Sequence, residues 1–199
     1  MRLFVALTPP SAVVDELVNA TAPIRAEHPE LRWTPPEQWH LTLAFLGEVD
    51  DRARTDLVPR LERVAARNPP LMLSFGSGGR FGDRVLWTRV SGQVEPLRRL
   101  AASVQAGARR ARLDVDRRPY RPHLTLARTR EPTDLRPLAE ALADFSGREW
   151  TATHLHLVRS HLGAGPGGAA RHERLATWPL VGKHGRMSPG WAGPGASPK

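Results

Sequence analysis

Alternating apolar and polar blocks in the first fifty positions predict one strand, one helix and two further strands. The apolar run at 2–8 predicts a strand that ends at a pair of prolines. Apolar residues recur at helical spacing over 11–28, where Ser11 is placed to cap the start of the helix. Shorter apolar runs predict strands at 31–34 and 40–46.

The pattern from position 51 onward predicts a helix followed by a hairpin. Charged and apolar residues are mixed at helical spacing over 51–67, but Pro59 lies inside this segment. The helix is therefore expected to begin near Pro59 or to kink there. Strand-like runs at 71–75 and 84–90 are separated by the glycine-rich segment 76–82, which is typical of a hairpin loop.

The rest of the chain again mixes helix and strand patterns. A long basic helix pattern covers 94–112, and strands at about 123–128 and 149–162 flank a helix pattern at 135–145. A last strand is expected at about 170–178. Neighbouring strands are joined by short loops as well as by helices, so the order favours an α+β fold over a regular parallel βαβ repeat.

The composition indicates a folded and strongly basic protein. Of the 199 residues, 40% are hydrophobic, and 29 Lys and Arg stand against 20 Asp and Glu, which gives a net charge of +9. This surplus favours an anionic partner. It does not identify one, because 27 of the basic residues are Arg and so strong a bias also follows from genome composition.

The absence of cysteine limits the chemistry open to this protein, and its hydropathy limits its expected location. The chain has no cysteine, which excludes disulfides, thiolate metal sites and a cysteine nucleophile. No apolar run approaches the ~20 residues that span a bilayer, and we expect a cytoplasmic protein without membrane contact. Residues 1–181 are expected to form one domain, and the Gly- and Pro-rich residues 182–199 a disordered tail.

One tetrapeptide, His-Leu-Thr-Leu, occurs twice, beginning at His40 and at His123. Both copies lie in predicted strands, where side chains alternate between the two faces. Each His and Thr therefore shares one face, while the leucines anchor the other face in a core. The two copies begin 83 positions apart, which is close to half of the folded part and is the pattern of one copy per lobe.

Two facing imidazoles suit the cleavage of a phosphodiester. In-line attack at phosphorus needs a base on one side and an acid at the leaving oxygen opposite. Imidazole serves as either near neutral pH. The threonine hydroxyls can donate hydrogen bonds to the phosphate oxygens, where negative charge develops. The pair of motifs therefore indicates acid and base catalysis that needs no metal and no cofactor.

At this level of detail the chain resembles the two-histidine (2H) phosphoesterases, and within them the RNA 2′,3′-cyclic phosphodiesterases, or 2′-5′ RNA ligase-like proteins. The resemblance rests on WHLTLAFLG at 39–47, RPHLTLAR at 121–128, LVRS at 157–160 and RLFVA at 2–6. It implies a bilobal fold of two antiparallel sheets facing across a central cleft, with helices outside. It also implies hydrolysis of a terminal 2′,3′-cyclic phosphate of RNA to a 2′-phosphomonoester.

The resemblance also assigns roles to residues. It implies that His40 is the proton donor to the leaving 3′-oxygen, that His123 is the proton acceptor that activates water, and that Thr42 and Thr125 bind the phosphate. Arg128 follows the second motif where such proteins often have Arg. By strict alternation Arg128 faces away from His123, so it reaches the phosphate if the strand ends or bulges there.

Two further residues near the motifs are expected to be peripheral. Phe45 could stack a base, but by the same alternation we expect it in the core. His172 stands before Glu173 where the family often has Tyr-Glu, a departure expected to affect the rim of the cleft at most.

Several alternatives remain open at this stage. The same residues could join RNA ends through a 2′-5′ linkage, with an RNA hydroxyl in place of water. The basic segments 94–112 and 117–121 could instead belong to a non-catalytic RNA-binding module. His154, His156 and His161 could form a metal site, although a solvent-facing polar stripe explains them more simply. We expect a monomer and predict no protein partner.

Overall fold

A computed structural model describes residues 1–165 and 170–182 of the chain, and these form two antiparallel sheets with helices. The strands are β1 (Arg2–Leu7), β2 (Arg32–Trp33), β3 (Leu41–Glu48), β4 (Leu71–Phe81), β5 (Val85–Gly92), β6 (His123–Arg128), β7 (Trp150–Ala152), β8 (His154–His161) and β9 (Arg171–Pro179). The α-helices are α1 (Ser11–Glu27), α2 (Asp51–Arg67), α3 (Val94–Arg110) and α4 (Arg136–Glu140), and a 3₁₀ turn covers Pro36–Gln38.

The two sheets confirm the α+β prediction and separate the two motifs. One sheet has the strand order β3-β1-β8-β9, and the other has the order β2-β6-β5-β4-β7. The first motif lies at the start of β3 and the second in β6, so each sheet carries one copy. All the strand pairings are antiparallel among the described residues.

The leucines of both motifs anchor their strands in the core, as the alternation predicts. Leu41, Leu43, Leu124 and Leu126 are each exposed by 1% or less. Burial of a leucine side chain contributes about 1.5–3 kcal/mol. These four positions therefore fix the face of each strand that His and Thr occupy.

Helix α2 differs from its prediction at Pro59. The helix begins at Asp51 and continues through Pro59 to Arg67, so of the two expected outcomes the start near Pro59 is wrong. Asp50 stabilises the early start, because its side chain accepts a hydrogen bond from the backbone N–H of Ala53 at 2.7 Å. Burial of the apolar face of α2 holds the turns on both sides of the proline in place.

Helix α1 covers nearly the predicted range but has a different start. Pro10 occupies the capping position and Ser11 is the first helical residue, without a side-chain cap hydrogen bond. The prediction of Ser11 as the cap is therefore wrong. The helix is held by packing, since Val13, Leu17 and Ile24 are buried on one face.

The glycine-rich segment belongs to β4 and is not a loop. Gly79 lies under the indole ring of Trp87 on β5, where a Cβ atom would come within 2.2 Å of the ring. A Cβ atom on Gly78 would meet the backbone oxygen of Ala139 at 2.8 Å. These glycines thus provide space for close packing across the strand. The reversal of the hairpin follows Phe81 instead.

The C-terminal half has shorter elements than predicted. The expected strand 149–162 divides at Thr153 into β7 and β8, which belong to different sheets, and the expected helix 135–145 shortens to α4. Residues 183–199 of the expected disordered tail lie outside the described residues. No helix in the part of the chain that the structure describes is long and apolar enough to cross a membrane.

Candidate active site

A cleft of about 560 Å³ lies between the two sheets and brings the sequence-predicted residues together. His40 and Thr42 line it from the β3 side, and His123, Thr125 and Arg128 line it from β6. Each His and Thr pair thus shares a face, as the alternation predicts. Each of the two motifs thus supplies one imidazole and one hydroxyl to the same cleft.

The histidines of the two motifs are anchored in the same way. The Nδ1 atom of His40 lies 2.7 Å from the carbonyl oxygen of Gln38, and that of His123 lies 2.6 Å from the carbonyl oxygen of Arg121. Because a carbonyl can only accept, Nδ1 carries the hydrogen and donates it in each case. Nε2 of each neutral imidazole is then left as the atom that can take up a proton.

The environment of His40 favours its neutral form. Its ring stacks on Phe4 with the ring centroids 4.6 Å apart, and the ring of His172 packs edge-on at 5.2 Å. Burial lowers the pKa of His40 to about 4 against the opposing effect of the Gln38 carbonyl, and the charges of His172, His123 and Arg128 lower it further.

His123 has an aromatic environment of its own. The ring of Phe81 meets it edge-on at 4.7 Å, and Trp87 lies 6.2 Å from it between centroids. Burial lowers the pKa of His123, opposed by the Arg121 carbonyl, and the charge of Arg128 lowers it further. Both histidines are therefore neutral bases in the free protein near neutral pH.

A bulge at the last leucine of each motif turns a later side chain into the cleft. In β3 the pairing with β1 skips Leu43, and in β6 the pairing with β5 skips Leu126. An extra residue in a strand reverses the alternation beyond it. Arg128 accordingly lines the cleft, which satisfies the condition that the sequence set for it. Phe45 does so as well, and with 59% of its surface exposed it is not a core residue as expected.

His172 lies deeper in the site than the sequence suggested. Its ring contacts both His40 and Phe4, with centroid distances of 5.2 Å and 5.0 Å. It lines the same cleft from β9, beside Ser160 on the paired strand β8. The expectation that this departure affects the rim at most is therefore wrong.

Comparison with known proteins identifies the family of this chain. A family model described as the 2′-5′ RNA ligase superfamily matches residues 9–164. The chain belongs to this superfamily. The match includes both histidine motifs.

Curated and solved relatives of this superfamily member agree with that assignment. A protein named RNA 2′,3′-cyclic phosphodiesterase from Thermus thermophilus is 32% identical, and the match covers 100% of this chain and 99% of the relative. One of the same name from Geobacillus stearothermophilus is 31% identical over 75% of this chain, but this covers 48% of that relative. The crystal structure of the Thermus thermophilus protein TT0787 matches with a TM-score of 0.76 and 30% identity, covering 92% of this chain and 100% of that one.

The cleft of this superfamily member is positively charged. Arg2, Arg32 and Arg128 line it, and the described lining residues include no Asp or Glu. Neither Arg2 nor Arg32 was predicted from the sequence to line the site. The position of Arg32 shortly before the first motif was the available signal. Its place opposite Arg128 depends on the pairing of β2 with β6, which the sequence does not show.

The histidines suggested as a metal site lie in other contacts. The Nε2 atom of His161 is 2.7 Å from a carboxylate oxygen of Glu173, and Nδ1 of His156 is 3.0 Å from the hydroxyl of Thr177. Among the described residues, no group of three or more His, Cys, Asp or Glu side chains is arranged to hold a metal ion. His156 is 6% exposed, so the interpretation as a solvent-facing stripe is wrong for this residue.

Proposed function

We propose that this protein hydrolyses the terminal 2′,3′-cyclic phosphate of RNA to a 2′-phosphomonoester. The observation that carries the proposal is the pair His40 and His123, each anchored through Nδ1 and each lining one arginine-rich cleft from a different sheet. The names of the Thermus and Geobacillus relatives support the same substrate class. Three arginines without a lining carboxylate suit a phosphate anion.

The proposed reaction is an in-line displacement at phosphorus. Nε2 of His123 takes a proton from water, and the water oxygen forms a bond to phosphorus. The bond from phosphorus to the 3′-oxygen breaks, and His40 gives its Nε2 proton to that oxygen. The phosphate then remains on the 2′-oxygen. The two histidines have equivalent backbone anchors, so their geometry does not distinguish the donor from the acceptor. The resemblance to the family supports His40 as the donor and His123 as the acceptor.

Substrate binding supplies the protonated donor in this proposal. Both histidines are held neutral by burial in the free protein. A phosphate anion beside His40 favours the imidazolium and raises its pKa, while the Gln38 carbonyl keeps its bond to Nδ1–H in either state. We propose that Thr42, Thr125 and Arg128 bind the phosphate oxygens and stabilise the charge that develops on them.

Replacement of either histidine tests the proposal directly. We expect His40→Ala and His123→Ala each to abolish turnover of an RNA with a 2′,3′-cyclic phosphate end, while its binding is nearly retained. His154→Ala, which removes an exposed histidine outside the cleft lining, is the matched control and should keep full turnover. Binding by the unmutated protein without any turnover would instead support the non-catalytic RNA-binding module.

Other parts of the proposal have their own tests. Acid and base catalysis by two imidazoles requires no metal, so turnover should persist in excess EDTA. A linear product with a 2′-5′ linkage would favour RNA end-joining over hydrolysis. We propose that the protein acts as a monomer in the cytoplasm, and sedimentation of the full chain measures its mass directly.

A further inference from the structure

Two arginines lie directly opposite each other on neighbouring strands at the cleft. Arg32 on β2 is the register partner of Arg128 on β6. Residues directly opposite in an antiparallel pair project from the same face, with Cβ atoms about 4.5–5.5 Å apart. Both side chains line the cleft. Like charges at this spacing destabilise the sheet unless a counter-charge lies between or above them.

The protein itself supplies no such counter-charge within the described residues. Elsewhere arginines pair with acids, as Arg60 does with Asp56 at 2.9 Å and Arg136 with Asp134 at 2.8 Å. No described carboxylate lies within 4.0 Å of the guanidinium of Arg32 or of Arg128. Burial and the charge of Arg32 together lower the pKa of Arg128. The pair is therefore arranged for an anionic ligand.

The two arginines lie on different strands relative to the histidine motif of β6. Arg128 shares its strand with His123 and Thr125, whereas Arg32 lies on the edge strand of the sheet. Adjacent strands are about 4.8 Å apart, so Arg32 is displaced sideways from the motif by one strand. The residues that follow Arg32 on this edge segment, Trp33, Thr34 and Pro35, also line the cleft.

The segment that carries Arg32 is held firmly in place. The indole Nε1 of Trp33 donates to the carbonyl oxygen of His28 at 2.9 Å, and the backbone N–H of Thr34 donates to the carbonyl oxygen of Leu126 at 2.8 Å. These bonds fix the edge strand on β6. The position of Arg32 is thus built into the fold.

We propose that Arg32 binds the phosphate one nucleotide upstream of the cyclic end, so that the substrate class is an RNA oligonucleotide end and not a cyclic mononucleotide. Arg128 contacts the cyclic phosphate itself. This inference rests on the proposed function, since it assigns a second phosphate of the same substrate. It requires that a dinucleotide ending in a 2′,3′-cyclic phosphate be a better substrate than adenosine 2′,3′-cyclic phosphate.

The test compares these two substrates in the unmutated protein and in Arg32→Gln. We expect Arg32→Gln to lower kcat/KM for the dinucleotide about 10- to 100-fold, the effect of losing one charged hydrogen-bonded contact. The mononucleotide should be affected less than about threefold. The slope of log kcat/KM against log salt for the dinucleotide should also become shallower by about 0.7, as for one lost phosphate contact with a single strand.

Control variants keep the outcome interpretable. Arg63→Gln removes the same charge from an exposed position on α2 outside the cleft and should change neither substrate. Arg32→Lys keeps the charge and should recover part of the dinucleotide activity. Equal losses on both substrates would mean that Arg32 acts on the cyclic phosphate, and no loss on either would mean that it binds no phosphate. Each result would overturn the inference while leaving the proposed hydrolysis intact, whereas inactivity of the unmutated protein on both substrates would refute the hydrolysis itself.

Discussion

His172 packs its imidazole edge-on against that of His40, with the ring centroids 5.2 Å apart. Phe4 contacts both rings and holds them in a fixed arrangement. A second imidazole at this distance disfavours a proton on the first, and its charge adds to the effect of burial on the pKa of His40. The pKa of His40 is therefore influenced by a further histidine, which β9 supplies.

The pH dependence of turnover should reflect the contact between His172 and His40. The profile of kcat/KM reports the free protein, where the pKa of His40 is about 4 and that of His123 lies below 6.5. We expect two limbs and a maximum below pH 6.5. His172→Gln should raise the pKa of His40 and move the limb that His40 contributes to higher pH. Turnover should not be abolished, because the other charged neighbours of His40, namely His123 and Arg128, remain.

Rate measurements from pH 4 to 8 check this prediction, with His154→Gln as the control for loss of an exposed histidine. The kcat profile should lie at higher pH than that of kcat/KM, because bound phosphate favours the imidazolium. A flat profile from pH 5 to 8 would contradict catalysis by paired histidines. A profile in which neither limb moves in His172→Gln would show that His172 has no influence on the pKa of His40.

The hydroxyls of Thr42 and Thr125 should contribute to the rate of the chemical step. Both line the cleft on the same faces as the histidines. We expect Thr42→Ala or Thr125→Ala to reduce kcat by about 10- to 1000-fold, the range for loss of one donor to a developing oxyanion. Thr→Ser at either position retains the hydroxyl and should recover most of the activity. Unchanged kcat in both alanine variants would assign that role to backbone amides or to Arg128.

The stability of the fold should fall in acid because of buried neutral histidines. Burial lowers the pKa of His40 and of His156 to about 4, well below the value near 6.5 of an unfolded chain. Between pH 6.5 and 4 the unfolded chain therefore binds protons that the folded protein does not. The free energy of unfolding should decrease as pH falls through this window, by at most about 1.4 kcal/mol per pH unit for each group.

Denaturant unfolding at pH 4.5, 5.5 and 6.5 measures this dependence. His156→Asn retains a polar partner for Thr177 and removes one titrating group, so its stability should vary less steeply with pH. The slope is the relevant quantity, since the substitution also changes packing. An unchanged slope in this variant would show that His156 is not held neutral by the fold.

The close packing at Gly79 should be sensitive to a single methyl group. A Cβ atom there would overlap the ring of Trp87, which lies beside His123. We expect Gly79→Ala to lower the free energy of unfolding by about 1–3 kcal/mol through overpacking, and to reduce turnover as the ring shifts. Gly76→Ala is the matched control, because its Cβ atom would meet its nearest neighbour, the carbonyl oxygen of Phe145, at an ordinary 3.5 Å. Equal stability of the two variants would contradict the packing role of Gly79.

The sequence predicts the parts of this site that depend on local pattern. Alternation within each His-Leu-Thr-Leu tetrapeptide is enough to place His40 and Thr42 on one face and the leucines in the core. The separation of the two copies along the chain is enough to predict one copy per lobe. The first of these features depends on the strand period, and the second depends only on positions along the chain.

The parts that the sequence does not predict depend on pairing between distant segments. Phe45 and Arg128 enter the cleft because β3 and β6 bulge against β1 and β5, and alternation alone places both side chains on the wrong face. The shared Leu-Ala step after each threonine was a signal that both strands behave alike there. His172 lies next to His40 because of the order of the strands in their sheet. The glycine at position 79 leaves space within the strand for the ring of Trp87.

The product formed from an RNA dinucleotide with a 2′,3′-cyclic phosphate end provides the most direct test of the proposed catalysis by His40 and His123. Chromatography against authentic standards resolves the 2′-monophosphate, the 3′-monophosphate and any joined product. We expect the unmutated protein to yield the 2′-monophosphate, and neither alanine variant to yield product. A 3′-monophosphate would reverse the leaving oxygen assigned to His40, and full product formation by either alanine variant would contradict the two-histidine mechanism.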